Sequence, residues 1–179
     1  MAPRHRWRPA RGLPCPKNMT LRKASEADAR AMARLLRDSD REELLASSGG
    51  NRFAERLARA VAVSCEAWLL SAASGPLCLF GLAPTDLKDT GSPWLVGAQA
   101  MDSRPMALAR LGRQAVYRFN RRFPVLMNWV HAPNVRALRF AEWLGFERFP
   151  AAPHGPLGRP FHRILRRRQP CANPQPSSP

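Results

Sequence analysis

Residues 134–146 read Asn134-Val135-Arg136-Ala137-Leu138-Arg139-Phe140-Ala141-Glu142-Trp143-Leu144-Gly145-Phe146. No helix breaker interrupts the run before Gly145, so a helix over 134–144 is predicted, with Gly145 as its C-cap. The apolar stretch 123–130 ahead of it reads as a strand. Residues 146–149 and 160–165 behind it read as a closing pair of strands. A strand, a helix and a returning strand pair place this segment against a sheet.

Working upstream, 105–122 reads as a helix opened by Asp102 or Ser103 with Pro105. Leu108, Leu111, Ala115 and Phe119 form one stripe, and Arg110, Arg113, Tyr117 and Arg121 share another. A strand over 94–98 precedes it, after a polar loop at 85–92. Residues 67–84 are uncharged, but Ser71, Ser74, Gly75 and Pro76 sit at their centre. Two strands, 67–73 and 77–83, explain them better than a membrane span. Further upstream come a strand at 20–23 and a helix at 26–37, opened by the capping spacing Ser25-Glu26-Ala27-Asp28. Asp40-x-x-Glu43 repeats that spacing for a short helix ending near Ser47. Asn51 is the expected cap of a third, which buries Phe53, Leu57 and Ala60 or Val61. The order gives one α/β domain, a mixed sheet flanked by helices.

The charge is unevenly spread. Lys and Arg number 29 against 13 Asp and Glu, a net +16 over 179 residues. Eight of the basic residues lie in two acid-free ends: Arg4, Arg6, Arg8, Arg11 and Lys17, and Arg166–Arg168. The stretch 19–165 therefore carries about half the excess, and nucleic acid becomes a disfavoured partner. Residues 1–18 hold no apolar run of the length expected of a signal-peptide core, and their four prolines disfavour an amphipathic transit helix. These residues are expected to be a disordered extension upstream of a natural start at Met19, and 166–179 a disordered tail. Cys15, Cys65, Cys78 and Cys171 include no Cys-x-x-Cys pair, so neither a metal site nor a dense disulfide framework is expected.

Asn134, Ala137, Glu142, Gly145 and Phe146 match the pattern N-x-x-A-x-x-x-Y-E-x-x-G-F of the fourth helix in the GNAT acyltransferase superfamily. The chain thus resembles a GNAT-like domain, and the element order fits that fold. A narrower resemblance runs through 62–68, 80–84, 93–97, 128–132 and 160–163. These segments are similar to phage and prophage GNAT-like proteins related to the small internal virion protein of short-tailed phages. That resemblance implies particle assembly, virion proteins as partners, and a place in the host cytoplasm or the phage particle.

The GNAT resemblance implies acetyl-CoA as co-substrate if the chain is active, held near Arg104, Asn134 and Ala137. Two features depart from it. The stretch 98–107, where GNAT enzymes place a glycine-rich pyrophosphate loop, has no glycine, and Asp102 opposes a phosphate there. Ala141 stands where a proton-donating Tyr is usual, and the only tyrosine is Tyr117. Among Glu66, Asp86, Asp89 and His131, the last is the best general base, at a strand end near Asn134. The leading expectation is a virion-associated protein with a degenerate acyl-CoA site. An N-acetyltransferase with an atypical CoA loop and a basic DNA-associated protein are the alternatives.

Overall fold

A computed structural model describes Leu13 and residues 15–168. The expectations for 1–12, Pro14 and 169–179 lie outside the described residues. Seven strands form one sheet in the order β1-β2-β3-β4-β5-β7-β6. They are β1 Met19–Lys23, β2 Glu66–Ala72, β3 Gly75–Pro84, β4 Thr90–Gly97, β5 Val125–His131, β6 Glu147–His154 and β7 Arg159–Arg167. The helices are α1 Glu26–Met32, α2 Asp38–Ser48, α3 Phe53–Val63, α4 Pro105–Arg122 and α5 Val135–Trp143.

Strand alternation sorts the core onto two faces. Leu69, Leu79 and Val96 turn to one face, where Ala29, Met32 and Leu36 around α1 and Leu57 from α3 cover them. Leu70, Phe80 and Leu82 turn to the other, against Leu111, Ala115 and Phe119 of α4 and Leu138 and Ala141 of α5. Wrapping helices around both faces gives the mixed, helix-flanked sheet expected from the sequence. No helix among the described residues is long and apolar enough to cross a membrane.

Several boundaries differ from the sequence reading, each for a local reason. The first helix stops at Met32 instead of 37. Leu36 bridges Ala98, and the Arg37 N–H donates to the Gly97 carbonyl at 3.0 Å, so the chain leaves the helix to bond the sheet. Asn51 does not cap α3; Arg52 holds that position without a side-chain bond. A 3-10 turn, Gln99–Ser103, separates β4 from α4. The β6–β7 hairpin is longer than predicted, because β6 is an edge strand that tolerates Pro150 at a register shift and Pro153 paired with Pro160. Strand β7 runs past 165 through Arg167, and the Arg166 guanidinium donates to the Leu144 carbonyl and the Asn120 side chain.

Candidate active site in the splay between β4 and β5

The parallel pair β4 and β5 matches at two positions only, Thr90 with Val125 and Gly91 with Leu126. Pro93 follows, and it has no N–H to continue the ladder. Its carbonyl instead accepts from the Asn128 side-chain amide at 2.8 Å, and Asn128 Oδ1 accepts from the Trp129 N–H at 2.8 Å. A side chain thus replaces backbone pairing where the strands part.

The opening separates two cavities. One, of about 650 Å³, lies towards α4 and α5 and is lined largely by apolar groups, among them Met101, Leu108, Leu111, Val130 and Ala141. The other, of about 250 Å³, lies towards α2 and the β6–β7 hairpin, with Leu44, Ser47, Arg56, Trp129, His154 and Phe161 in its wall. Asp40, Glu43, Trp94, Leu95 and Asn128 border both.

Asp40 and Glu43 share one face of α2, three residues apart. Asp40 is buried, yet its carboxylate is satisfied by Arg37 Nη2 at 2.9 Å, Arg37 Nε at 3.1 Å and the Gly97 N–H at 2.7 Å. Glu43 has milder company. It accepts from the Asn134 side-chain amide at 2.8 Å and from the His131 main chain. Burial raises its pKa to about 7, the Asn134 bond opposes that shift, and the charge of Asp40 adds to it. A carboxyl poised near neutrality between two cavities can accept a proton at working pH.

Asn134 is the N-cap of α5, with its Oδ1 accepting from the Ala137 N–H at 3.3 Å while its amide holds Glu43. Both Asn134 and Ala137 border the larger cavity, as does Ala141. Arg104 is the N-cap residue of α4, without a side-chain cap bond and outside both cavity walls. His131 ends β5, but its imidazole packs on Phe161 with ring centroids 5.0 Å apart and borders neither cavity. Burial lowers its pKa. Its main chain, rather than its ring, reaches Glu43.

The remaining sequence candidates lie elsewhere. Glu66 is buried in β2 and binds Arg118 Nε at 2.6 Å and the Trp68 indole N–H at 3.1 Å. Asp86 and Asp89 belong to the β3–β4 connection. Tyr117 is half-exposed on α4. Cys78 is fully buried, which pushes its thiol up to about 12 and makes it an inert core residue. No group of His, Cys, Asp and Glu among the described residues is arranged to hold a metal ion.

At the mouth of the larger cavity, the glycine-free segment presents Asp102. It accepts from Arg37 at 3.1 Å and from Arg136 at 2.7 Å, linking the 3-10 turn to α5. Burial disfavours its charge, but the bonds from Arg136 and Arg37 outweigh that and leave its pKa below the ordinary carboxylate value.

No protein-family model matches the chain, and no curated protein matches it in sequence. Solved structures do match. RimL, a ribosomal L7/L12 alpha-N-protein acetyltransferase in complex with coenzyme A, superposes with a TM-score of 0.65 at 11% identity, covering 87% of this chain and 97% of its own. A ribosomal-protein-alanine N-acetyltransferase from Brucella melitensis gives 0.65 at 14% identity, over 83% and 99%. A spermidine N-acetyltransferase from Vibrio cholerae with CoA and spermine gives 0.60 at 16%, over 85% and 96%. The chain therefore has the GNAT fold of these N-acetyltransferases.

Proposed function

We propose that the chain is an acyl-CoA-dependent N-acyltransferase in which Glu43 accepts the proton of the acceptor amine. The observation that carries this reading is the position of Glu43, a residue in the walls of both the 650 Å³ and the 250 Å³ cavity. A bisubstrate transfer needs such a group between donor and acceptor.

The walls of the larger cavity fit the acyl-pantetheine arm, being largely apolar. The pyrophosphate end fits less closely. No glycine brings backbone N–H groups around it, so the first turn of α4, Arg104 and Arg136 are the groups available to hold it. Acyl-CoA supplies the activated thioester. Glu43, in its ionised form, takes one proton from the ammonium group of the acceptor. The free amine then forms the N–C bond as the C–S bond breaks. The second proton leaving nitrogen ends on the departing sulfur, because Ala141 and neighbouring Phe140 carry none to give. Glu43 returns its own proton to solvent.

A second reading, a virion-associated or assembly role alongside phage virion proteins with the acyl-CoA site unused, is favoured by one observation. Asp102 sits ionised in the pyrophosphate segment and is tied to both Arg37 and Arg136. Acetyl-CoA separates the two readings. The enzyme predicts a rise in Tm with acetyl-CoA at sub-millimolar concentration, and free thiol released when amines are added. No shift and no thiol, with the protein present in purified particles by mass spectrometry, would establish the assembly role instead.

A further inference from the structure

We propose that the 250 Å³ cavity is a recognition site for a carboxylate borne by the acceptor, with Arg56 as the selecting residue, so that the acceptor is a small amino acid. This deepens the acyltransferase reading and rests on it for the transfer step, though not for binding.

Arg56 projects from α3 into the cavity wall, where Nη2 lies 3.4 Å from Ser47 Oγ. Its Nε is a buried side-chain nitrogen without a hydrogen-bond partner. No carboxylate among the described residues forms an ion pair with it. Other partly buried arginines are satisfied: Arg37 by Asp40 and Asp102, Arg118 by Glu66, and Arg166 by Leu144 and Asn120. A buried guanidinium N–H left unpaired carries a desolvation cost that an anionic ligand would remove. The planar fork of Arg matches a carboxylate in two parallel bonds.

Spacing narrows the ligand. Ser47, the polar contact of Arg56, stands one helical turn beyond Glu43 on α2, an axial rise of about 6 Å. A carboxylate on Arg56 and an amine on Glu43 therefore belong to groups a few bonds apart in one small molecule. The two acids nearby do not contradict this. Asp40 is fully engaged by Arg37 and Gly97, and Glu43 serves the amine. The opposite wall is aromatic: Trp129 and His154 stack with centroids 4.5 Å apart, and the His154 ring meets Phe161 edge-on at 5.2 Å. An apolar or aromatic side chain suits that wall. A polyamine places positive charge against Arg56, and a peptide N-terminus lacks a carboxylate within reach.

The test is calorimetric titration of the full chain with N-acetyl-L-phenylalanine and N-acetyl-L-leucine, each beside its carboxamide. The acids are expected to bind at least tenfold more tightly than the amides. Arg56→Met should remove that preference, and Arg56→Lys should keep part of it. Equal binding of acid and amide, no binding of either at millimolar concentration, or an unchanged preference in Arg56→Met overturns the proposal. The acid–amide comparison on the unaltered protein needs no variant to fold. Thiol release from acetyl-CoA with phenylalanine against phenethylamine separates the two levels. Equal rates keep the acyltransferase and overturn the carboxylate site. Selective acid binding without thiol release keeps the site and overturns the acyltransferase.

Discussion

The Asn134 side-chain amide donates to Glu43 Oε2 at 2.8 Å, joining the start of α5 to the middle of α2 across 91 residues of sequence. One residue thereby caps a helix and steadies the group that stands between the two cavities.

Replacing Glu43 by Gln should change both stability and rate. Burial lifts the folded pKa from the ordinary 4.5 to about 7. Between those values the folded state binds the extra proton, so this contribution to stability is complete below about pH 4.5 and is lost as pH rises through 7. The loss is about 2 kcal/mol after allowing for the partial exposure of the side chain. Thermal melts from pH 5 to 8 should show wild-type Tm falling relative to Glu43→Gln. Transfer to an amine should drop about 10²- to 10⁴-fold in the variant. A variant that melts in parallel with wild type across this range contradicts the assignment.

Asn134 is testable by two substitutions that act differently. Asn134→Ala removes the cap bond and the Glu43 bond, costing about 2 kcal/mol. The bond from Asn134 lowers the Glu43 pKa, so its loss should move the ionisation of Glu43 upward. Asn134→Asp retains an acceptor for the Ala137 N–H but sets a carboxylate against Glu43. It should shift that ionisation further while costing less stability at pH 5. Carboxyl titration by NMR reads both shifts directly.

How far the sequence discloses this site depends on where each determinant lies. The helix at 134–144 and its flanking strands are legible because capping, periodicity and punctuation are local signals. Glu43 is not, since Asp40-x-x-Glu43 has the spacing of an ordinary helix start. What distinguishes it is burial by β5 and contact with Asn134, neither visible within α2. Arg56 likewise reads as one more helix-surface arginine until α2 and the β6–β7 hairpin join it in the wall of the smaller cavity. The extent of that hairpin was hidden by Pro150 and Pro153, which forbid a central strand but not an edge one. The glycine-free segment at 98–107 was legible as a departure, and the structure adds that Asp102 is bridged to two arginines.

Asp102→Asn should loosen that bridge and improve anion binding at the cavity mouth. The carboxylate is ionised, so it neutralises part of the field of Arg37 and Arg136. Asparagine leaves the two guanidinium groups facing the opening with one less negative charge between them. Acetyl-CoA affinity is expected to rise several-fold at low salt, with a smaller gain at high salt. Tm without ligand should fall by the equivalent of about 1 kcal/mol, since Arg136 is exposed and its pair contributes little. Unchanged affinity at low salt would remove Asp102 from the path of the anion.

The hairpin over the smaller cavity offers a paired comparison between two glycines of one turn. Gly155 has φ +71° and lies against α2, where an added Cβ would come 2.8 Å from the Ser47 carbonyl oxygen. Gly158 has φ +58° with open space around the corresponding position. Alanine at either site meets the left-handed backbone cost of about 1 kcal/mol. Only Gly155→Ala must also push the turn away from α2, because a backbone carbonyl cannot swing aside as a side-chain end can. It should therefore cost about 1–2 kcal/mol more than Gly158→Ala. Amide exchange in β6 should quicken in Gly155→Ala and stay near wild type in Gly158→Ala. Because His154 and Ser47 both line the cavity, carboxylate binding should weaken in the first variant and persist in the second. Equal destabilisation of the two would mean that the contact with Ser47 does not hold the hairpin in place.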